Sequence, residues 1–316
     1  MKFPVFDLHC DTAEAMVLHK ENRNLRNNTL HIDMERASKL PGYGQCFACF
    51  TTSDSDFYHI GVSPVQMFER EIAVLHSEIE KNSDVIRIAY SAEEINENLK
   101  NGLMSAVLTI EGPAGFDFDV DLLEDMYKVG FRISTLGWNE KNVLTGSHKT
   151  GGGLSDVGRA YVKEAQRLGI LIDVSHISDE GFWDIMEITQ APVIASHSNS
   201  RKVCGESRNI TDDMFREICR TGGTVGLNLY AEFVGKNANL DSYCDHVFHF
   251  LEMDPDAAHI SLGGDLDGCD LLPSGFEGIQ DYPKIAQRLL ERGLNERMVA
   301  NIFWNNAVGV IDRCSI

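Results

Sequence analysis

The sequence has no stretch of about 18 consecutive apolar residues, the length a membrane-spanning helix needs, so no membrane partner is expected. It has no positive excess: 28 Lys and Arg stand against 48 Asp and Glu, a formal charge of -20. Nucleic-acid binding works by replacing counterions with basic side chains, and this balance opposes it. There is no low-complexity tract, no Pro/Gly/Ser-rich linker and no long block of like charge. The first residues, MKFPVFDLHC, lack the apolar core of an export signal. The eight cysteines are scattered, which reads as reduced thiols in a cytoplasmic protein. Cys46 and Cys49 make a CxxC, yet no second ligand pair accompanies it, and the run GQCFACFTT reads as a buried strand with free thiols.

What is present is a chain of 316 residues, 43% hydrophobic, enough for a substantial core. Eight short apolar runs read as buried strands: 5–9, 46–52, 105–111, 131–136, 170–176, 192–197, 224–229 and 259–265. Amphipathic segments lie between most of them, at 64–81, 121–129, 156–168, 179–188, 212–220 and 242–251. Ser155, Ser178 and Thr211 stand where helix N-caps belong. An extra segment, 86–90 with a following helix, interrupts the second repeat, and 281–310 reads as two closing helices. Non-alternating apolar strands separated by helices imply a parallel sheet covered on its outer face. Eight such units fit a single (β/α)8 TIM barrel over residues 1–316, with an open doubly wound sheet as the alternative.

The polar residues favour the barrel, because a barrel delivers all its strand C-termini to one face. The first run ends in His9 and Asp11, which share a face if the backbone is extended. The third ends in Glu111, the fifth in His176, the sixth in His197 and the eighth in Asp265. Trp138 and Asn139 follow the fourth; Asn228 and Tyr230 follow the seventh. Any one of these could merely cap a helix or bond a loop. Six metal-type side chains at one end of five strands are poorly explained by independent accidents. Three histidines and three acids exceed the needs of one tetrahedral zinc. Two ions about 3.5–4 Å apart can share a hydroxide and polarise a carbonyl or phosphoryl oxygen. Glu111 is central enough in strand order to bridge them, and Asp265 is the candidate proton shuttle.

The stretches FDLHCDT, TIEG, GLSDVGRAYVKEAQRLGILIDVSHIS, PVIASHSNSR, SRNIT, GGDLDG and NIFWNNAVGVI together resemble the membrane (renal) dipeptidase family, the M19 metallopeptidases, including its soluble bacterial members. The resemblance covers nearly the whole chain. It implies a metallo-dependent hydrolase barrel with two zinc ions. His9, Asp11 and Glu111 would hold the first, and Glu111, His176 and His197 the second. It casts Asp265 as the acid that bonds the bridging water and moves protons. It assigns Arg208 to the substrate's terminal carboxylate and Tyr230 to a helping role there. The implied reaction is hydrolysis of small dipeptides, L,L and L,D, and the implied assembly includes a homodimer. One departure is Trp138, where the mammalian pattern has a histidine; its indole N–H can donate but cannot accept a proton. Other amidohydrolase-like enzymes, or an idle metal-binding homologue, are the competing readings. The former commonly carry His-x-His and a carboxylated lysine, against His-x-Asp and Glu111 here. His19, His31, His59, His76, His148, His246 and His249 read as surface residues, and His259 as opening the last strand at the end opposite the site.

Overall fold

The computed structural model describes residues 2–19, 24–54, 57–58 and 60–314. Nine strands form one parallel sheet: β1 (Val5–Cys10), β2 (Tyr43–Phe50), β3 (Ile86–Ile88), β4 (Met104–Glu111), β5 (Phe131–Thr135), β6 (Leu171–Asp173), β7 (Val193–Ile194), β8 (Val225–Leu227) and β9 (Ile260–Leu262). The path β7-β6-β5-β4-β2-β1-β9-β8 takes in eight of them. It comes round on itself where Ala195, just past β7, bridges Val225 of β8. Backbone hydrogen bonds hold that seam, among them Ala195 N to Thr224 O at 3.1 Å, Gly226 N to Ala195 O at 2.8 Å and Ser198 N to Gly226 O at 2.8 Å. The closed ring excludes the doubly wound alternative. β3 is the extra segment; it pairs only with β4, outside the ring, and the helix Ala92–Lys100 follows it.

Helix caps form where the sequence places them. Ser155, Ser178 and Thr211 each accept a backbone N–H at the starts of helices Asp156–Leu168, Asp179–Ile188 and Asp212–Thr221. The expected helix 121–129 divides into a 3-10 turn, Val120–Leu122, and the helix Leu123–Val129. The second closing helix is one run from Glu296 to Cys314 with a π-helical turn at Asn301–Asn305. It carries Trp304 and Val310 into a cluster with Phe6, Cys46, Val107, Ile133, Leu171 and Ile194 from the strands. The opposite strand faces pack beneath the helices in a larger core. Cys46 and Cys49 lie in different clusters, so they face opposite ways and share no metal. All eight cysteines are free.

The later strands are shorter than expected. β6, β7 and β9 stop at Asp173, Ile194 and Leu262, so His176, His197 and Asp265 sit in the loops beyond them. The physical reason is that side chains take over from the ladder. Asp173 Oδ1 accepts the backbone N–H groups of Ser175 and Ser196, each at 2.9 Å. His176 and Asp265 then adopt φ of 70° and 56°, which ends any extended backbone.

Candidate metal centre

His9 reaches the site through an irregularity. The β1–β2 register shifts between Asp7 and Cys10, and such a bulge re-aims side chains near active sites. Asp11 is not on the strand, as the shared-face expectation required; it is the N-cap of helix Thr12–Leu18. The two still meet, with His9 Nε2 3.4 Å from Asp11 Oδ2. Glu111 closes β4, and Gly112 follows at φ 76°, where a Cβ would strike Thr51 O. Gly268 has the same necessity: a Cβ there would lie 2.1 Å from Asp11 Oδ2 and 2.7 Å from Asp265 Oδ1.

The two oxygens of Glu111 face different partners. Oε2 lies 3.2 Å from His9 Nε2. Oε1 lies 3.0 Å from His176 Nε2 and 3.8 Å from His197 Nε2. His9 Nε2 is also 3.9 Å from Asp265 Oδ1. All six strand-end residues expected to gather do gather. His9, Glu111 and His197 present ligand-type atoms within 4.8 Å of one another, as do His9, Asp11 and Asp265.

Neighbouring groups fix the histidine tautomers. Ser196 Oγ donates to Asp173 Oδ2, so it accepts from His197 Nδ1 at 2.6 Å. Asn139 Oδ1 accepts from His176 Nδ1 at 3.1 Å and from His148 Nε2 at 2.9 Å. Both His176 and His197 therefore carry the proton on Nδ1 and aim a bare Nε2 inward. Those two Nε2 atoms are 3.0 Å apart. Two lone pairs facing at that distance repel unless a cation lies between them and Glu111.

Charge tells the same story. Burial pushes Asp11 up, and the Glu111 carboxylate pushes it further. Asp265 is pushed to about 7 by burial and by Asp11. Burial lowers His176 and His197 well below the usual imidazole value, so both are neutral, as ligands must be. Burial also lowers His9, but Glu111 and Asp11 outweigh it and hold it well above that value. His9 Nε2 and Asp11 Oδ1 are buried without a hydrogen-bond partner. This donor set, imidazole and carboxylate with orphaned atoms turned inward, fits divalent transition metals.

The cluster floors a cavity of about 580 Å³ lined by Trp138, Tyr230, His148, Glu14 and others. Trp138 packs edge-on against Phe50 and Phe57, with its ring centre 6.3 Å from that of His176. Tyr230 stands against Phe233, its phenol pushed up to about 12 by burial and Asp270. Arg208 is buried close by. Its Nη1 donates to Ser198 Oγ at 2.7 Å, while Nε and Nη2 have no hydrogen-bond partner among the described residues.

Sequence reasoning missed several participants. His148, expected at the surface, lines the cavity, its pKa lowered to about 3 by burial and Arg208. His246, also expected there, is fully buried between Ser200 N and Val234 O. His31, His76 and His249 are only partly exposed, and His59 lies outside the described residues. Ser196, Asp173 and Asn139 orient the histidines, and Asn228 Nδ2 donates to Asp265 Oδ2 at 2.9 Å. The helpful signal for His148 was the glycine-rich run after it. Gly146 has room for no Cβ against Gly151 O, so that loop folds tightly back.

The model of the membrane dipeptidase family, peptidase family M19, matches residues 1–315. An uncharacterized dipeptidase of Schizosaccharomyces pombe is 34% identical over 214 residues, 66% of this chain. The match spans only about half (52%) of that relative's length. An uncharacterized protein in the pqqA 5' region of Klebsiella pneumoniae is 28% identical over 78% of this chain and 96% of its own. Among solved structures, a Rhodobacter sphaeroides metallopeptidase bound to a phosphinate mimic of L-Ala-D-Ala superposes with a TM-score of 0.90, covering 100% of both chains at 23% identity. A probable dipeptidase from Pseudomonas aeruginosa gives 0.87 at 15% identity, over 99% of this chain and 95% of that one. At such identities these two likenesses speak for the fold. No helix among the described residues is long and apolar enough to cross a membrane.

Proposed function

The chain belongs to the membrane dipeptidase family, peptidase family M19, and from that premise we propose that it is a two-zinc enzyme hydrolysing free L,L- and L,D-dipeptides. The observation that carries this reading is the division of Glu111, one oxygen toward His9 and the other toward His176 and His197. His9, Asp11 and Glu111 would hold one ion; Glu111, His176 and His197 would hold the other. When bound, such a pair supplies an acidified water and a polarised scissile carbonyl.

The chain's own residues do the rest. Asp265 takes the proton of the attacking water and delivers it to the leaving amine. Asn228 holds one oxygen of Asp265, leaving the other turned to the cluster. Arg208, with Nε and Nη2 free in a buried setting, receives the C-terminal carboxylate as a charge-assisted pair. Tyr230 and Trp138 both line the cavity in which the substrate would lie.

Two expectations follow. Arg208→Ala should raise KM for a free dipeptide at least about tenfold with kcat less affected, the signature of lost uniform binding. The same change should spare a dipeptide amidated at its C-terminus. An unchanged KM in steady-state kinetics contradicts the carboxylate role. Ser196→Ala removes the acceptor that fixes the His197 tautomer, and zinc affinity should fall about 10–100-fold. Chelator competition measures it; wild-type affinity would contradict the relay.

A further inference from the structure

Arg208 is buried near the cluster, with Asp265, Asp173 and Glu111 as its charged neighbours. A group of the opposite sign lines the cavity itself: Glu14, on helix Thr12–Leu18, one turn past Asp11. Its Oε1 is buried with no hydrogen-bond partner among the described residues. The charges acting on it among the described residues, Asp11 and Glu111, are both negative. Its own field reaches Tyr58 and Glu71. Glu111 acts on both Glu14 and Arg208.

Glu14 shares the cavity lining with an aromatic group. Phe50, Phe57 and Trp138 line the same cavity, with ring centres 4.9 to 5.5 Å apart and edge-to-face. A carboxylate beside aromatic faces is the chemistry that receives an ammonium or guanidinium, by charge pairing and by cation–π attraction. A buried carboxyl without a partner costs free energy, and no basic group of the described protein offsets it. The cavity mouth adds Glu206, Glu232 and Asp270 against Lys149, a field that draws cations in.

We infer that Glu14 and the Phe50–Phe57–Trp138 wall form the seat for a cationic nitrogen on the N-terminal residue of the substrate. The inference rests on the dipeptidase reading. On this proposal, a dipeptide with its carboxylate at Arg208 and its peptide bond over the cluster has its first residue at Glu14. Two nitrogens satisfy the chemistry, the α-ammonium and the basic group of a lysine or arginine side chain.

The test uses zinc-loaded wild type and Glu14→Gln, with metal content and Tm measured on both. The substrates are L-lysyl-L-alanine, L-norleucyl-L-alanine, and their counterparts without the α-amine, 6-aminohexanoyl-L-alanine and hexanoyl-L-alanine. Glu14→Gln should cut kcat/KM on L-lysyl-L-alanine by about tenfold or more. If the side-chain nitrogen fills the seat, wild type prefers lysyl over norleucyl and the variant loses that preference. If the α-ammonium fills it, both dipeptides fall together and the des-amino substrates do not. Either pattern supports the seat. Kinetics within about twofold of wild type on all four substrates, or a loss of bound zinc that accounts for the whole effect, overturns it. If wild type turns over none of the four, the dipeptidase reading itself fails, and the seat with it.

Discussion

Asp265→Asn should retain both metal ions and the wild-type Tm while kcat on dipeptides falls about 10²–10⁴-fold, the range that positioned proton transfer contributes. The substitution is close to isosteric. An asparagine oxygen can still accept from Asn228 Nδ2, which now sits 2.9 Å from Asp265 Oδ2. Asparagine also tolerates the left-handed backbone at this position, φ 56°. What it cannot do is take a proton. The fold and the cluster should therefore survive and the reaction should not. Metal analysis beside steady-state kinetics separates the outcomes. Near-normal turnover removes Asp265 from the proton path, and a parallel loss of metal makes it a ligand instead.

Glu111→Gln should act on metal and stability in opposite directions. Glu111 touches both halves of the cluster, so the variant should bind fewer than two ions and lose at least about 10³-fold in kcat/KM, several kcal/mol of Lewis-acid assistance. In the metal-free protein the same carboxylate attracts His9 and Arg208 but repels four acidic neighbours. It helps push up Asp11, Glu14, Glu71 and Asp265, each after the larger effect of burial. Replacing it with a neutral amide relieves that repulsion. Chelated Glu111→Gln should then melt above chelated wild type, while in the presence of zinc the order reverses, because only wild type gains from tight binding. Scanning calorimetry with and without chelator reads the crossover. Parallel changes in both states contradict the reading of Glu111 as a residue that favours function over apo stability.

The strand-end pattern was legible because barrel topology turns a one-dimensional regularity into proximity. His9, Glu111, His176, His197 and Asp265 each end or follow an apolar run, and the ring brings those ends together. Finer geometry was not legible. Nothing in VFDLHCDT marks a register shift or shows that Asp11 leaves the strand to cap a helix. Strand lengths were overread because an apolar run looks the same whether its N–H groups bond a neighbouring strand or the carboxylate of Asp173. The orienting groups Asn139, Ser196 and Asn228 are small polar residues with no periodicity; Asn139 and Asn228 act on partners distant in sequence, and Ser196 holds its neighbour His197 through a hydroxyl that distant Asp173 orients. His148 and Glu14 were hidden for a different reason. A loop or helix residue enters a cavity only once the chain has folded; the glycine-rich run after His148 marks a tight loop without saying where it leads, and nothing beside Glu14 in the sequence marks its entry.

The most direct test of the central claim is a zinc titration of fully chelated protein, followed simultaneously by hydrolysis of an L,L- and an L,D-dipeptide. A two-ion cluster divided across Glu111 predicts no turnover without metal and activity that saturates at about two zinc per chain. Activity that survives chelation, or zinc binding that saturates with no hydrolysis of either dipeptide, would contradict it.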